Sequence, residues 1–199
     1  MRILVVGAEG TVGRAAISDL SKRHEIISAG RNSGSIKVDI LDEASVLAMF
    51  KAAGKIDAII TTTGHTHFGP VVDMTPEMFR KGLNEKLMGQ INVALIGMHH
   101  VADGGSITMT SGVTNRDPIR QGANTASVNG ALDSFAFGAA IEMPRGIRIN
   151  VVSPGLLEES VKSYDGFFPG HSPVSSARVG LAYTKAVEGA VNGQIICVD

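Results

Sequence analysis

The chain has 199 residues, a length that suits one domain with a substantial core and leaves little room for a second. Its formal net charge is −1 without blocks of like charge, which argues against nucleic acid or a membrane surface as a partner. The single Cys197 excludes an internal disulfide, and neither a bilayer-length apolar run nor a cleavable signal pattern occurs, so we expect a soluble cytoplasmic protein.

The chain begins with an apolar strand, Ile3–Val6, that leads into a glycine-rich turn and then a helix, Thr11–Arg23. Gly7, Gly10 and Gly13 form the pattern Gly-x-x-Gly-x-x-Gly. Such glycines allow a tight turn, close approach to a diphosphate and close packing of helix on strand, while the first N–H groups of the helix bind phosphate oxygens. We therefore predict a nucleotide-binding loop; the alternative is a tight strand-to-helix turn without a ligand.

The second strand is followed by a basic residue instead of the acidic residue that commonly binds the adenosine ribose in NAD-binding domains. Arg31 stands near that position. A guanidinium suits a 2′-phosphate, which a carboxylate would repel, so we predict NADP(H) in preference to NAD(H). Arg14 offers a further positive charge, and the alternative for Arg31 is a solvated loop cation. Asp39 either receives the adenine amino group or caps the helix that begins near Asp42.

Short apolar strands and helices alternate along the whole chain. The predicted strands are Ile3–Val6, Glu25–Ser28, Ile36–Val38, Ala58–Thr61, Ser106–Thr110, Arg148–Val152 and Gln194–Val198. The predicted helices are Thr11–Arg23, Asp42–Ala53, Pro76–Val101, Ala126–Met143 and Ala177–Ala190. This alternation indicates an α/β fold: a single Rossmann domain, residues 1–199, whose doubly wound parallel sheet binds ligands at the carboxyl ends of its strands.

Residues 155–175 form the one long segment of weak periodicity, and they are rich in Gly, Pro, Ser and aromatic residues. Segments of this kind are either functional loops or irregular surface structure. Because the segment lies just past the carboxyl end of a predicted strand, we favour a substrate lid over a plain surface loop.

Several motifs, taken in order, resemble the short-chain dehydrogenase/reductase family over essentially the whole chain. They are the glycine loop Gly7–Gly13, Val38-Asp39-Ile40, Ile59–Gly64, Thr110-Ser111-Gly112, Arg145–Gly155 and Asn192–Asp199. The resemblance implies a seven-stranded parallel sheet with helices on both faces, and hydride transfer between nicotinamide and a carbonyl or alcohol. It also implies a homodimer or homotetramer formed through the long central helices, although a monomer stays open. The glycine spacing looks more like that of extended and atypical members.

The resemblance further implies which residues bind the cofactor. Residues of the glycine loop would line the diphosphate, Asp39 and Ile40 would flank adenine, and two later turns would lie against the nicotinamide and its ribose. The full set is Gly7, Glu9, Gly10, Thr11, Val12, Gly13, Arg31, Asp39, Ile40, Thr62, Thr63, Gly64, Pro154 and Gly155.

The family's catalytic pattern is a Ser, a Tyr and a Lys four residues after the Tyr, often with an Asn. Ser111 matches the serine. Counting back from the Ala-Leu-x-x-Phe stretch places Thr125 and Asn129 at the Tyr and Lys positions, whereas counting forward from Ser111 places Asn124 and Val128 there. Neither register restores the pair, so we expect a degenerate catalytic site.

Other residues are candidates for the missing proton donor. Lys86 falls at the family's Asn position and either places a charge near the ribose or reaches solvent. His67 follows a strand's carboxyl end, and histidine titrates in the useful range; the alternative is a surface loop residue. His65 and Tyr164 are weaker candidates of the same kind. The histidines show no spacing with carboxylates or Cys197 that indicates a metal site.

Two functions follow from these expectations. The first is an NADP(H)-dependent oxidoreductase that acts on a small carbonyl or alcohol with a non-standard proton donor. The alternative is a non-catalytic NADP(H)-binding sensor or regulatory protein, which the missing Tyr-Lys pair favours.

Overall fold

Seven strands form one parallel sheet in the computed structural model, which describes residues 1–199. They are β1 (Arg2–Val6), β2 (Glu25–Gly30), β3 (Ile36–Lys37), β4 (Ile56–Thr61), β5 (Val101–Thr110), β6 (Arg148–Pro154) and β7 (Ile195–Val198). Their order across the sheet is β3-β2-β1-β4-β5-β6-β7. The strand order reverses between β1 and β4, which is where doubly wound sheets bind ligands. The predicted fold class is confirmed.

Helices cover both faces of this sheet. They are α1 (Thr11–Leu20), α2 (Glu43–Ala53), α3 (Pro76–Gly82), α4 (Gly89–Gly97), α5 (Ala123–Ala139) and α6 (Ser176–Glu188). A π-helical segment, Leu83–Met88, joins α3 to α4. Segments of this kind occur frequently at functional sites, because the extra residue per turn changes the direction of the side chains.

Three predicted helix ends are wrong. The helix predicted to run from Pro76 to Val101 ends at Gly97, and Val101 is already the first residue of β5. α5 ends before Met143, whose extended backbone is the conformation that a following proline imposes. α1 ends at Leu20, and Arg23 beyond it forms an ion pair with Asp19.

The two faces of the sheet bury two separate apolar cores. Alternate side chains of a strand point to opposite faces. Leu4 and Val6 of β1 therefore belong to the cluster under α2, α4 and α5, whereas Ile3 and Val5 belong to the cluster under α1 and α6. Both cores fix the strands from either side, so the loops at the carboxyl ends extend from a rigid edge. No helix has both the length and the apolar character needed to cross a membrane.

Candidate active site at the carboxyl edge of the sheet

Two glycines of the first loop are required by the fold itself. Gly7 has a φ of +92°, and a Cβ there would lie 2.6 Å from Thr63 Cγ2 and 2.7 Å from Thr62 Oγ1. A Cβ at Gly13 would lie 2.0 Å from the Gly7 carbonyl oxygen. The Thr62 hydroxyl donates to that same carbonyl at 3.0 Å and ties the loop to the end of β4. Any larger residue at position 7 or 13 would therefore displace the loop.

Gly10 differs from these two glycines. A Cβ there would meet only the Gly7 carbonyl oxygen, at an ordinary 3.4 Å. The residue is the N-cap of α1 and supplies no capping side chain, so the first N–H groups of the helix keep their hydrogen-bonding capacity. Gly10 also borders both clefts described below. An exposed helix start that a backbone can approach closely fits a diphosphate.

The smaller cleft, about 320 Å³, lies beside the ends of β1 and β2. Gly7, Arg31 and Ile40 line it. Arg31 Nη2 lies 3.6 Å from Asp39 Oδ1, and this oxygen accepts a hydrogen bond from the Leu41 N–H at 3.1 Å. Of the two roles left open for Asp39, the capping role belongs instead to Asp42, which is the N-cap of α2 and accepts from the Ala44 N–H at 3.0 Å.

The larger cleft, about 650 Å³, lies over the carboxyl ends of β1, β4, β5 and β6. Most of the predicted site residues meet in its wall, namely Gly10, Thr11, Val12, Thr62, Thr63, Gly64, Lys86, Ser111, Thr125, Asn129, Pro154 and Gly155. Four predicted residues lie outside both walls, namely Glu9, Gly13, Asp39 and His67. The Arg14 guanidinium donates to the Glu9 carbonyl and likewise borders neither cleft.

Lys86, in the π-helical segment, is directed into the protein. Its Nζ donates to Asn129 Oδ1 at 2.8 Å and to the Ser111 carbonyl oxygen at 3.0 Å. The Asn129 amide in turn donates to Thr114 Oγ1 at 2.9 Å. Burial of the amine lowers the pKa of Lys86 to about 8, although the carboxylate of Asp133 acts in the opposite direction. The sequence left open whether Lys86 places its charge at the site or reaches solvent. In the structure its amine is held at the site.

A glycine makes this position of Lys86 available. Gly64, just after β4, has a φ of +105°, and a Cβ there would lie 2.3 Å from Lys86 Cα. The backbone of the π-helical segment therefore packs directly on the backbone at the end of β4. Sequence reasoning connected Gly64 only with the cofactor and missed this second role. The signal was present, since a glycine at that turn suits close backbone contact.

Two hydroxyl groups in the larger cleft lack a partner within the protein. Ser111 Oγ and Thr63 Oγ1 are buried and form no hydrogen bond. Such groups cost about 1–3 kcal/mol each when they stay unpaired, so native proteins usually pair them with ordered water, a ligand or another protein group. Both residues border the cleft, which suits a polar ligand there.

The structure distinguishes between the two counting registers on α5. Thr125 and Asn129 line the larger cleft, whereas Val128 is part of the apolar core. Asn124 is fully buried: its amide donates to the Phe79 carbonyl at 2.7 Å and accepts from the His67 N–H at 2.8 Å. The register with Thr125 and Asn129 is therefore the one that faces the site. α5 contains neither Tyr nor Lys.

The other candidate proton donors occupy different places. The His67 ring packs over Gly69, where a Cβ would lie 2.8 Å from its Nε2, and the residue lies outside the cleft walls. His65 borders both clefts, and Tyr164 borders the larger one. Tyr183 is fully buried behind the site, with its hydroxyl 2.6 Å from Thr110 Oγ1.

Comparison with known proteins agrees with this geometry. A family model described as Enoyl-(Acyl carrier protein) reductase matches residues 7–178. Tetrahydroxynaphthalene reductase of Pyricularia oryzae is 26% identical over 98% of this chain and 87% of its own length. Versicolorin reductase stcU of Emericella nidulans is 31% identical over 67% of this chain and 53% of its own length.

Solved structures show the same fold. The protein lin1944 from Listeria innocua is 47% identical, with a TM-score of 0.97 and complete coverage of both chains. A small-chain dehydrogenase in complex with NADPH is 27% identical, with a TM-score of 0.87, over all of this chain and 96% of its own.

Proposed function

Since the chain belongs to the short-chain dehydrogenase/reductase family, we propose that it is an NADP(H)-dependent oxidoreductase acting on a small carbonyl or alcohol. The observation that carries this proposal is the Lys86 amine, held between Asn129 Oδ1 and the Ser111 carbonyl in the wall of the larger cleft. The amine contacts the backbone of the same serine whose hydroxyl has no protein partner, and a cation and a free hydroxyl in one cleft wall suit chemistry at an oxygen atom.

The residues present fit a nicotinamide dinucleotide. The accessible Gly10 and the first turn of α1 would hold the diphosphate, and Ile40 would contact the adenine end. Pro154 and Gly155 would border the nicotinamide. When bound, the cofactor supplies or accepts the hydride.

The preference for NADP(H) rests on Arg31. Its guanidinium lies at the mouth of the smaller cleft, more than half exposed, with only the 3.6 Å contact to Asp39. Paired N–H groups of this kind suit a phosphate. The solved relative with NADPH supports the same assignment.

The proposed proton route uses two residues of this chain. Ser111 Oγ would bind the substrate oxygen, because this hydroxyl is buried in the cleft without another partner. Lys86 Nζ would then transfer a proton to that oxygen and recover one from solvent. The pKa of about 8 leaves the amine protonated at neutral pH and still able to release its proton.

Lys86 and Asn129 thereby exchange the positions that the family resemblance assigns to lysine and asparagine. The lysine comes from the π-helical segment and the asparagine from α5, yet the amine and the amide oxygen meet at 2.8 Å. The cation is therefore kept near the site while its place in the chain differs. A phenol is not retained on α5, where Thr125 lines the cleft instead.

In this proposal, residues 155–175 form a lid over the substrate. Leu157 pairs with Val174 through an isolated bridge, so the segment leaves and returns at one point. Between them, Ser160, Ser163 and Tyr164 border the cleft. A loop tied at its base and lining the cleft with its middle suits this role.

The test is NADPH oxidation across aldehydes, ketones and quinones by the native protein, Lys86→Met, Ser111→Ala and Lys51→Met. Lys51 is an exposed lysine on α2 and serves as the matched control. Loss of a general acid typically lowers the rate on the order of a hundred- to ten-thousandfold. We expect such a loss in Lys86→Met but not in Lys51→Met. Full turnover by Lys86→Met would contradict the assignment.

A sensor or regulatory protein is the second candidate function, favoured by the absence of Tyr and Lys from α5. It predicts tight NADPH binding by the native protein with no turnover of any compound in the panel. Direct titration with NADPH alongside the rate measurements distinguishes this outcome from an inactive preparation.

A further inference from the structure

The aromatic residues of this chain are few and unevenly placed. The chain has seven phenylalanines, two tyrosines and no tryptophan, and four of these nine residues form one cluster. Ring centroids are 6.0 Å apart for Phe68 and Tyr164, 5.7 Å for Phe68 and Phe167, and 5.8 Å for Tyr164 and Phe168. These spacings lie in the range of favourable tilted and edge-to-face contacts.

The cluster joins two parts of the chain that flank the larger cleft. Phe68 comes from the loop after β4, and the other three rings come from the segment after β6. Phe68, Tyr164 and Phe168 line the cleft that also contains Ser111 and Lys86. None of the four residues is fully buried, so the three rings in the cleft wall remain accessible and are not part of a closed core.

The charges in the wall of the larger cleft further restrict the chemical class of the ligand. Lys86 is the only lysine or arginine in the wall of the larger cleft, and no carboxylate lines it. A cationic ligand would find no counter-ion there. A neutral or weakly acidic ligand with one polar oxygen would place its apolar part against the rings and its oxygen near Ser111 and Lys86.

We propose that the substrate is a carbonyl compound built on a planar aromatic ring system, whose ring packs on Phe68, Tyr164 and Phe168. Hydride and proton transfer would convert an aryl ketone or aldehyde to the aryl carbinol, or a quinone to the hydroquinone, and 2-naphthol serves below as a probe of the ring site that does not itself react. This inference rests on the proposed function, because it names the substrate class of the same site. Aromatic rings offer flat faces and polarised edges, so they pair with a ring cluster better than saturated rings of equal size do.

The test compares 2-naphthol with decahydro-2-naphthol, which has the same carbon skeleton and hydroxyl group but no aromatic ring. Each compound is titrated by calorimetry into the native protein, with and without NADP⁺. Aromatic pairing beyond simple area burial predicts about threefold to tenfold tighter binding of 2-naphthol. Equal binding of the two compounds, or binding of neither, would overturn the proposal.

Matched variants assign the selectivity to the cluster. Phe68→Leu and Phe168→Leu keep apolar side chains but remove rings from the cleft wall. Phe137→Leu makes the same change at a ring on α5 that is 69% exposed and outside the cleft. We expect the preference for 2-naphthol to fall towards one in the first two variants and to persist in the third. Thermal unfolding of each variant confirms that it is folded.

Failure of this inference is distinguishable from failure of the proposed function. Calorimetry detects ring selectivity whether or not the compound is turned over. A protein that selects 2-naphthol but shows no NADPH oxidation retains the aromatic subsite and loses the oxidoreductase assignment. A protein that oxidises NADPH equally well with aromatic and saturated carbonyl compounds retains the oxidoreductase assignment and loses the aromatic subsite.

Discussion

The glycine loop and the Lys86–Asn129 pair occupy the same edge of the sheet, but the chain builds them differently. The residues of the loop lie between Gly7 and Gly13, and its tightest contact, Gly13 against the Gly7 carbonyl, is made within the loop itself; Thr62 and Thr63 then hold it against β4. The pair joins residues 43 positions apart, on two helical segments that must pack correctly before the amine and the amide meet. Within the loop, different glycines therefore serve different purposes: Gly7 and Gly13 permit close packing, and Gly10 leaves the helix start accessible. Lys86 and Asn129, in contrast, act together through one long-range hydrogen bond.

The largest expected effect tests whether Gly13 and Gly10 have these different roles, by comparison of Gly13→Ala with Gly10→Ala. The first places a Cβ 2.0 Å from the Gly7 carbonyl oxygen, so we expect destabilisation of about 3 kcal/mol or more, on the order of a hundredfold in the folding equilibrium. The second has room for its Cβ, at a φ of −73° that alanine readily adopts. Its free energy of unfolding should stay within about 1 kcal/mol of the native value.

Urea unfolding measures both free energies, and titration with NADPH measures the affinity of the folded Gly10→Ala protein. We expect that affinity to fall, because Gly10 borders both clefts and a side chain there hinders the close approach of a diphosphate to the backbone. Equal destabilisation by both substitutions would contradict the assignment of Gly13 to packing and of Gly10 to ligand access.

The pH dependence of turnover tests whether Lys86, in the Lys86–Asn129 pair, donates the proton. If Lys86 Nζ donates the proton, turnover in the reductive direction requires the charged amine. The rate should be constant below pH 8 and fall about tenfold per pH unit above it, to about a hundredth at pH 10. Among the charged groups near the amine, Asp133 favours the protonated form.

The control for this profile is Lys86→Met, whose residual rate should lack the break near pH 8. Stopped-flow measurement with saturating NADPH isolates the chemical step from cofactor binding. A break near pH 8 that persists in Lys86→Met would assign the titration to another group and separate Lys86 from proton transfer.

The smallest of the three effects concerns the cofactor's 2′-phosphate. Arg31→Ala should weaken NADPH binding by about tenfold, because an exposed guanidinium that already contacts Asp39 contributes at the lower end of charge-assisted hydrogen bonds. NADH binding should not change. Lys37→Ala, which removes an exposed cation from neighbouring β3, is the control. Equal weakening of NADH and NADPH would contradict a phosphate-specific role.

The same contrast explains what could be predicted from the sequence. The order of the elements and the glycine loop follow from short-range patterns of apolar residues and glycines, and these predictions agree with the structure. β5 was predicted to begin at Ser106 but begins at Val101, because the Ala-Asp-Gly-Gly stretch in between lacks the apolar alternation that marks a strand. Val101 nevertheless pairs with Ile56 of β4, and the register between the two strands shifts before Ser106 pairs with Ala58, so the strand begins earlier than its sequence pattern indicates.

The direction of Lys86 could not be predicted in this way. Its two interpretations differ only in whether the side chain points inward, and this depends on the π-helical segment and on how closely that segment approaches β4. Helical periodicity carries no information about a single wide turn. The aromatic cluster is likewise invisible to local patterns, because Phe68 and Tyr164 lie almost a hundred residues apart and meet only across the cleft.

The 2.8 Å contact between Lys86 and Asn129 also links the consequences of substitutions at the two positions. Asn129→Lys alone would bring two cations within bonding distance, and Lys86→Asn alone would leave the site without a cation. Neither change is neutral by itself, so an exchange between the two arrangements must pass through an intermediate that repels itself or lacks charge. The two positions are therefore energetically coupled, and the effect of exchanging lysine and asparagine between them is not the sum of two independent changes.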